Sequence, residues 1–329
     1  MIHYKELGLV NCREMFKQAY EGHYAVPALN FISIEQFNAI IDACEQEKSP
    51  VIFILSPNLC RQYGYEILGR ICQAGVDRLR NASADVPLAL HLDHGRTYEQ
   101  CREAIENGFS SVMIDGSALP FEENVELTRR VVELAHAADV TVEGELGVVS
   151  GAEEQGDEGS AENVFTAPEK VEEFVRRTGV DCLAISIGTC HGLVKIRPGA
   201  DGKLPELRYD ILAEVERRLP GFPIVLHGSS SIDPRYVRMI NAHGGAIEEA
   251  AGIPEEQLTR AAEMAVCKVN IASDGWIAAL ALTRKILAEN PQAIDSRVFK
   301  LKIRPELAEM YAHKMRVLRS SRGSEVVAK

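Results

Sequence analysis

The chain has 329 residues, 46% of them hydrophobic and 26% charged, and 48 acidic against 36 basic residues give a net charge of −12 and a pI near 5.3. That length suits one large α/β barrel or two smaller domains, and no apolar run is long enough to cross a bilayer, so no membrane partner is expected. With no Lys/Arg cluster interleaved with aromatics, nucleic acid is not expected as a partner either, while anionic small substrates stay compatible because a metal and local donors outweigh a diffuse negative field.

The opening residues, Met1-Ile2-His3-Tyr4-Lys5-Glu6, lack the basic-then-apolar layout of a signal peptide. The eight cysteines (12, 44, 60, 72, 101, 182, 190 and 267) have no paired spacing. The expectation is a cytoplasmic protein with free thiols.

Residues 25–31 form a short first strand ending in Asn30, and Ile34, Phe37, Ile40, Ile41 and Cys44 give the segment behind it a helical period. A second strand covers 51–56, and a second helix covers 65–80 with Ile67, Leu68, Ile71 and Val76 as its apolar positions. The third strand, 88–93, is followed by a helix over 97–107, and the fourth, 111–117, by an amphipathic segment over 122–138. In the fifth strand, 140–146, alternation puts Glu143 and Glu145 on one face. Residues 147–163, rich in Gly, Glu and Asp and without apolar period, read as a mobile surface loop.

Pro168 lies near the first turn of a helix running to Thr178. The sixth and seventh strands, 182–188 and 223–226, enclose a helix over 210–219. Helices over 232–242 and 254–262 flank an irregular insertion at 244–253, and 265–270 is the eighth strand. Helices from about 274 to 290 and from 303 to 318 follow, completing a single domain over 1–319, with 320–329 a frayed tail. Eight strand–helix units match a (β/α)8 TIM barrel with extra C-terminal helices. A doubly wound sheet fits less well, because no G-x-G-x-x-G or phosphate-loop lysine follows any strand.

Three of these strands run directly into histidine: Leu88-Ala89-Leu90-His91-Leu92-Asp93-His94-Gly95, the sixth strand into His191-Gly192, and the seventh into His227-Gly228. Strand ends in a closed parallel barrel share one rim, so His94, His191 and His227 can converge on one metal. Zn²⁺ is favoured, because three imidazoles leave a fourth position open for a substrate oxygen. His91 reads as a buried partner, and His3, His23, His136, His243 and His313 as surface or packing residues.

Asp93 either moves a proton on a hydroxyl or orients a histidine. Asp115 and Glu145 hold a second divalent position or orient the first. Glu153 and Glu154 are solvated charges or part of a closing lid. Gly228-Ser229-Ser230-Ser231 and Asn270-Ile271-Ala272-Ser273 are turns, or they hold phosphate with backbone N–H groups and hydroxyls. Lys268 shares a face with Asn270 and reads as a charge partner for a site carboxylate.

In this order, the motifs His91-Leu92-Asp93-His94-Gly95, Val112 to Ser117, Glu145-Leu146-Gly147, Gly188-Thr189-Cys190-His191-Gly192, His227-Gly228-Ser229-Ser230 and Lys268-Val269-Asn270 resemble the class II, metal-dependent fructose-bisphosphate and tagatose-bisphosphate aldolases. The resemblance runs from Pro27 to about Arg297. It implies that His94, His191 and His227 ligate zinc, with Asp115 and Glu145 near an alternative metal position. Asp93 would handle the C4 hydroxyl proton, and Glu153, with Glu154 as fallback, the proton on the triose carbon.

The resemblance further implies that the phosphate of the dihydroxyacetone half meets Gly192, Gly228, Ser229, Asn270 and Ser273, beside Na⁺ or K⁺. Asn30 and Ser56 would lie close to substrate, and Arg297 would reach a distal phosphate, often in a neighbouring subunit of a homodimer or homotetramer. Where fructose-bisphosphate aldolases often have Asn-x-Asp-Thr, this chain has Ala272, as tagatose-type members do, which leaves the sugar open. A metal-dependent hydrolase, a lysine-based aldolase and a non-catalytic sugar-phosphate sensor are the alternatives.

Overall fold

The computed structural model describes residues 2–84, 86–149, 165–196 and 204–321. After a single 3-10 turn, α1 (Arg13–Gly22) precedes eight strand–helix units. These are β1 (Val26–Leu29) with α2 (Ile34–Glu47), β2 (Val51–Leu55) with α3 (Pro57–Tyr63) and α4 (Tyr65–Asn81), β3 (Leu88–Gly95) with α5 (Tyr98–Glu106), and β4 (Ser111–Ile114) with α6 (Phe121–Ala137). The second half is β5 (Thr141–Leu146) with α7 (Pro168–Thr178), β6 (Cys182–Ile185) with α8 (Tyr209–Arg218), β7 (Ile224–Leu226) with α9 (Pro234–Ala242) and α10 (Glu255–Ala262), and β8 (Val266–Ile271) with α11 (Ser273–Glu289) and α12 (Arg297–Val317).

All strand pairs are parallel and adjacent in sequence, and β1 closes on β8 with Val26 opposite Lys268 and Leu29 opposite Ile271. Both faces of such a sheet are covered, which is why the strands read as apolar runs. Outward residues such as Phe53, Leu90 and Val142 pack under the helices. Several helices start on side-chain caps: the hydroxyls of Ser33, Ser56 and Thr97 accept from the backbone N–H groups of Gln36, Leu59 and Gln100.

The lower barrel interior is filled by small residues, Val26, Ala28, Ala89, Ala184 and Cys267 among them, packed with Met15, Phe16 and Ala19 of α1. Arg13 bonds Asp181 (3.0 Å) and Asp139 (2.8 Å), and the Cys12 N–H bonds the Thr141 hydroxyl (2.9 Å), which fastens α1 across the N-terminal mouth. The opposite, C-terminal mouth is left for chemistry.

The structure departs from the sequence expectation in short or interrupted helices. Neither α1 nor α3 was expected, and α12 starts at Arg297 instead of residue 303 because Pro305 lies within the helix, where a sequence reading takes proline as a first turn. Ser320, expected to begin a frayed tail, is buried: its hydroxyl is 2.7 Å from that of Ser49 and also donates to the Met315 carbonyl. The Leu318 carbonyl accepts from Ala25 N–H (3.0 Å), and Arg304 forks onto Asp42 of α2 (2.6 and 2.7 Å), so the last helix is stapled to the first strand unit.

Candidate active site

At the end of β3 the pairing with β4 slips between Leu92 and Gly95, and His94 adopts φ +50°. Bulges of this kind re-aim side chains, and here the adjacent Asp93 and His94 both line the cavity at the C-terminal mouth. His191 and His227 follow β6 and β7 and line the same cavity. The three imidazoles stand nearly edge to face, with ring centroids 4.6, 5.3 and 6.1 Å apart, and one nitrogen of each lies within 4.8 Å of the others.

Carboxylates behind the rings set the tautomers. His94 Nδ1 is 3.2 Å from Asp115 Oδ2, and His227 Nε2 is 2.8 Å from Glu143 Oε1. With N–H on those atoms, the lone pairs of His94 Nε2 and His227 Nδ1 face each other across 2.8 Å, an arrangement that a shared cation stabilises. Burial first, then the neighbouring imidazoles, hold the pKa of His191 and His227 well below the usual histidine range, so both are neutral donors. The donor set fits a divalent metal.

Asp115 and Glu145 sit behind His94 and form with it a second group of converging donors. Burial alone would raise the Asp115 pKa, but the bonds from His94 and from the Ser117 hydroxyl and amide outweigh it and pull the carboxyl below its ordinary value.

Beneath the rim lies a charged layer inside the barrel. Lys268 Nζ is 2.6 Å from Glu143 Oε2, both side chains have no exposed surface, and His91 Nε2 is 3.3 Å from the amine. His91 Nδ1 meets the Ser111 hydroxyl at 2.7 Å, and burial together with Lys268 keeps its pKa well below normal. His91 is thus the buried partner expected, and Lys268 pairs with a carboxylate.

Asn270 Nδ2 donates to Asp93 Oδ1 (3.0 Å), while Asn270 Oδ1 is buried and has no hydrogen-bond partner among the described residues. Asn30, Ser56, Gly228, Ser229 and Ser273 line the same cavity. Gly228 has φ +62°, and a Cβ there would lie 2.5 Å from the Cys190 carbonyl oxygen, so the loop after β7 packs too closely for any other residue. Gly192 follows His191 at φ +84° without lining the cavity. Arg297 is exposed at the start of α12, bonded to Asp295 (2.6 Å), and does not line this cavity. Glu153 and Glu154 lie outside the described residues.

Besides the apolar Ile54, two cavity residues escaped the sequence reading. Lys195 is buried at the mouth, and burial, opposed by Asp274, brings its amine down to about 8. A lysine four residues beyond His191 in an otherwise apolar stretch was the available signal. Trp276, the chain's single tryptophan, donates from Nε1 to Asn30 Oδ1 (2.9 Å), and Asn30 Nδ2 donates to the Ile54 carbonyl (3.0 Å). From behind, Asp274 accepts from the backbone N–H groups of Ser231 (3.0 Å) and Ile232 (2.7 Å), and Lys314 Nζ lies 3.4 Å from it.

A closed (β/α)8 barrel with neutral imidazoles converging beside a carboxylate at its C-terminal mouth defines a barrel enzyme suited to metal-assisted chemistry. Residues 10–323 match the family model described as fructose-bisphosphate aldolase class-II. The chain is 49% identical to the fructose-bisphosphate aldolase of Treponema pallidum, over 98% of this chain and 99% of that protein. It is 38% identical to the one of Giardia intestinalis, over 95% and 94%. The crystal structure of the YdjI aldolase from Escherichia coli K12 superposes with a TM-score of 0.74 at 27% identity, covering 96% of this chain and all of that one. The protein belongs to the class II fructose-bisphosphate aldolase family: it is an aldehyde-lyase, and membership implies a divalent metal.

Proposed function

We propose that the protein is a zinc-dependent aldolase that reversibly cleaves fructose 1,6-bisphosphate to dihydroxyacetone phosphate and glyceraldehyde 3-phosphate. The observation that carries the reading is the convergence of three imidazole nitrogens in the cavity that Asp93 also lines, with carboxylates, Asp115 and the buried Glu143, behind the rings of His94 and His227. His94, His191 and His227 would hold the ion, with Asp115 and Glu145 as an alternative position. Once bound, it supplies Lewis-acid polarisation of the ketose C2 carbonyl.

The rest is done by the chain. Asp93, held by Asn270, takes the C4 hydroxyl proton; the C3–C4 bond breaks, its electron pair stays on C3, and Glu153 returns a proton there. Lys195, Gly228, Ser229 and Ser273 would receive the phosphate of the dihydroxyacetone half, with Gly192 and a Na⁺ or K⁺ ion beside it. Lys268 is not available as a Schiff-base amine, since it is fully buried and paired with Glu143.

Ala272 in the cavity supports tagatose 1,6-bisphosphate as a second substrate. Arg297, exposed and not part of the lining of its own cavity, suits a homodimer or homotetramer in which it serves a neighbour. Among the described residues no helix is long and apolar enough to cross a membrane, and we place the enzyme in the cytoplasm. The test is release of dihydroxyacetone phosphate from each bisphosphate with and without EDTA. Loss with EDTA and recovery with Zn²⁺ are expected, and EDTA-resistant release would refute the metal mechanism.

A further inference from the structure

We infer that Trp276 is a positioning residue for the cleavage: its indole N–H locks the Asn30 amide so that the one amide hydrogen left over serves the bound ketose. The inference rests on the reading above that the ketose occupies this cavity, which Asn30 and Trp276 both line.

β1 lies beside β8 with Ala28 opposite Asn270, and the Asn30 N–H still bonds the Ile271 carbonyl (3.3 Å), so strand geometry continues as far as Asn30. Side chains two apart on a strand share a face. Asn30 therefore stands one step further along the rim than Asn270, which holds Asp93 (3.0 Å).

An asparagine does not set its own amide plane, because the torsion that turns it has broad, two-fold preferences. Its neighbours must do so. The Ile54 carbonyl can only accept and the indole N–H can only donate. Nδ2 thus faces Ile54 (3.0 Å) and Oδ1 faces Trp276 (2.9 Å), whereas a flipped amide would set oxygen against oxygen and N–H against N–H. One Nδ2 hydrogen is then left without a partner among the described residues. Asn30 is only 7% exposed, and it lines the cavity, so that hydrogen is the donor it offers an oxygen of the ketose.

The backbone around Asn30 is held separately. Ile32 N–H donates to Oε1 of the fully buried Gln36 (3.0 Å), and the Tyr63 hydroxyl donates to the Ile32 carbonyl (3.1 Å). Removing the indole N–H therefore leaves the loop after β1 in place and frees only the amide, which pivots on its single bond to Ile54 with Oδ1 unpaired.

The test measures cleavage of fructose 1,6-bisphosphate by the zinc-loaded enzyme. Trp276→Phe should lower kcat/KM about tenfold, the size of one hydrogen bond lost with its acceptor left unpaired. Most of the loss should fall on kcat, since the phosphate contacts proposed for Lys195 and Ser229 are untouched. The melting temperature should stay within about 5 °C of the parent's. Because Trp276 is the only tryptophan, the protein can also be made with 3-benzothienylalanine in its place, which keeps the outline of the ring and puts sulfur where the N–H was. That protein should lose as much as Trp276→Phe, and it guards against a misfolded phenylalanine variant. In an Asn30→Ala background Trp276→Phe should change kcat/KM less than about twofold, because the amide it positions is gone.

A benzothienyl protein as active as the parent, a loss confined to KM, or losses from Trp276→Phe and Asn30→Ala that multiply in the double variant would each overturn the inference. Any of these in an enzyme whose parent form cleaves the bisphosphate leaves the aldolase reading standing. A zinc-loaded parent that neither cleaves it nor exchanges the C3 hydrogen of dihydroxyacetone phosphate takes both down.

Discussion

Replacing Lys268 by Met tests the charged layer inside the barrel. The substitution keeps the volume and deletes an amine 2.6 Å from Glu143 Oε2 at a point where neither side chain has exposed surface. Glu143 is then left as a buried carboxylate whose remaining ring-nitrogen partners are His227 Nε2, at 2.8 Å, and the more distant His91 Nε2, at 3.7 Å. Breaking a buried pair from one side costs about 3–5 kcal/mol, because the stranded charge keeps its desolvation penalty. At roughly 2–4 °C per kcal/mol for a chain of this order of size, the melting temperature of the metal-free protein should fall by on the order of 10 °C.

The same change disturbs the acceptor that orients His227, so zinc affinity should fall by about 10–100-fold, as expected when a ligand's hydrogen-bond partner is altered. Thermal unfolding measures the first effect, and competition with a chromogenic chelator the second. The double variant Lys268→Met with Glu143→Gln should regain much of the stability but not the affinity. A single variant within about 1 kcal/mol of the parent protein, or one that loses stability yet binds zinc unchanged, would refute the reasoning.

Lys195→Met should raise KM for a phosphorylated ketose by about 10–100-fold, as for a lost charged contact. Since burial brings the Lys195 amine to about 8, it is charged below that pH and neutral above it, so KM in the parent enzyme should climb as pH passes 8 and Lys195→Met should abolish that climb. Asp274→Ala frees the N–H groups of Ser231 and Ile232. It should cost about 1–3 kcal/mol of stability in urea unfolding and raise KM more than it lowers kcat, because Asp274 positions the loop and does not itself line the cavity. Gly252→Ala puts a Cβ 1.8 Å from the Ser231 carbonyl oxygen, so the variant should be destabilised by about 2 kcal/mol or more; a melting temperature equal to the parent's would contradict the packing described.

The barrel was legible because parallel strands buried on both faces are short apolar runs, and because three of them run into histidine at the rim. Asp93 was legible for the same reason, since a carboxylate at the end of an apolar run has no packing role. Lys195 and Trp276 were not, because one lies in an irregular loop and the other in the first turn of a helix, where no strand period announces which way a side chain turns. Glu143 was recognised as sharing a face with Glu145, but its pairing with Lys268 joins β5 to β8, a relation between distant strands that only closure of the barrel creates. The missed α1 binds across the mouth that carries no chemistry, and its apolar positions Met15, Phe16 and Ala19 gain meaning only when the small interior residues they cover are known.

The staple between α12 and the first unit has a bearing on how the chain is made. A ribosome releases β1 and α2 long before residues 304–321, yet Ala25, Asp42 and Ser49 bond to Leu318, Arg304 and Ser320. β1 also needs β8 as its neighbour. The first unit must therefore wait, with an open strand edge and an uncovered helix, until nearly the whole polypeptide has emerged. During that interval the nascent barrel is exposed to aggregation and depends on chaperones more than its final stability suggests. Truncation just before α12 would extend that vulnerable interval indefinitely.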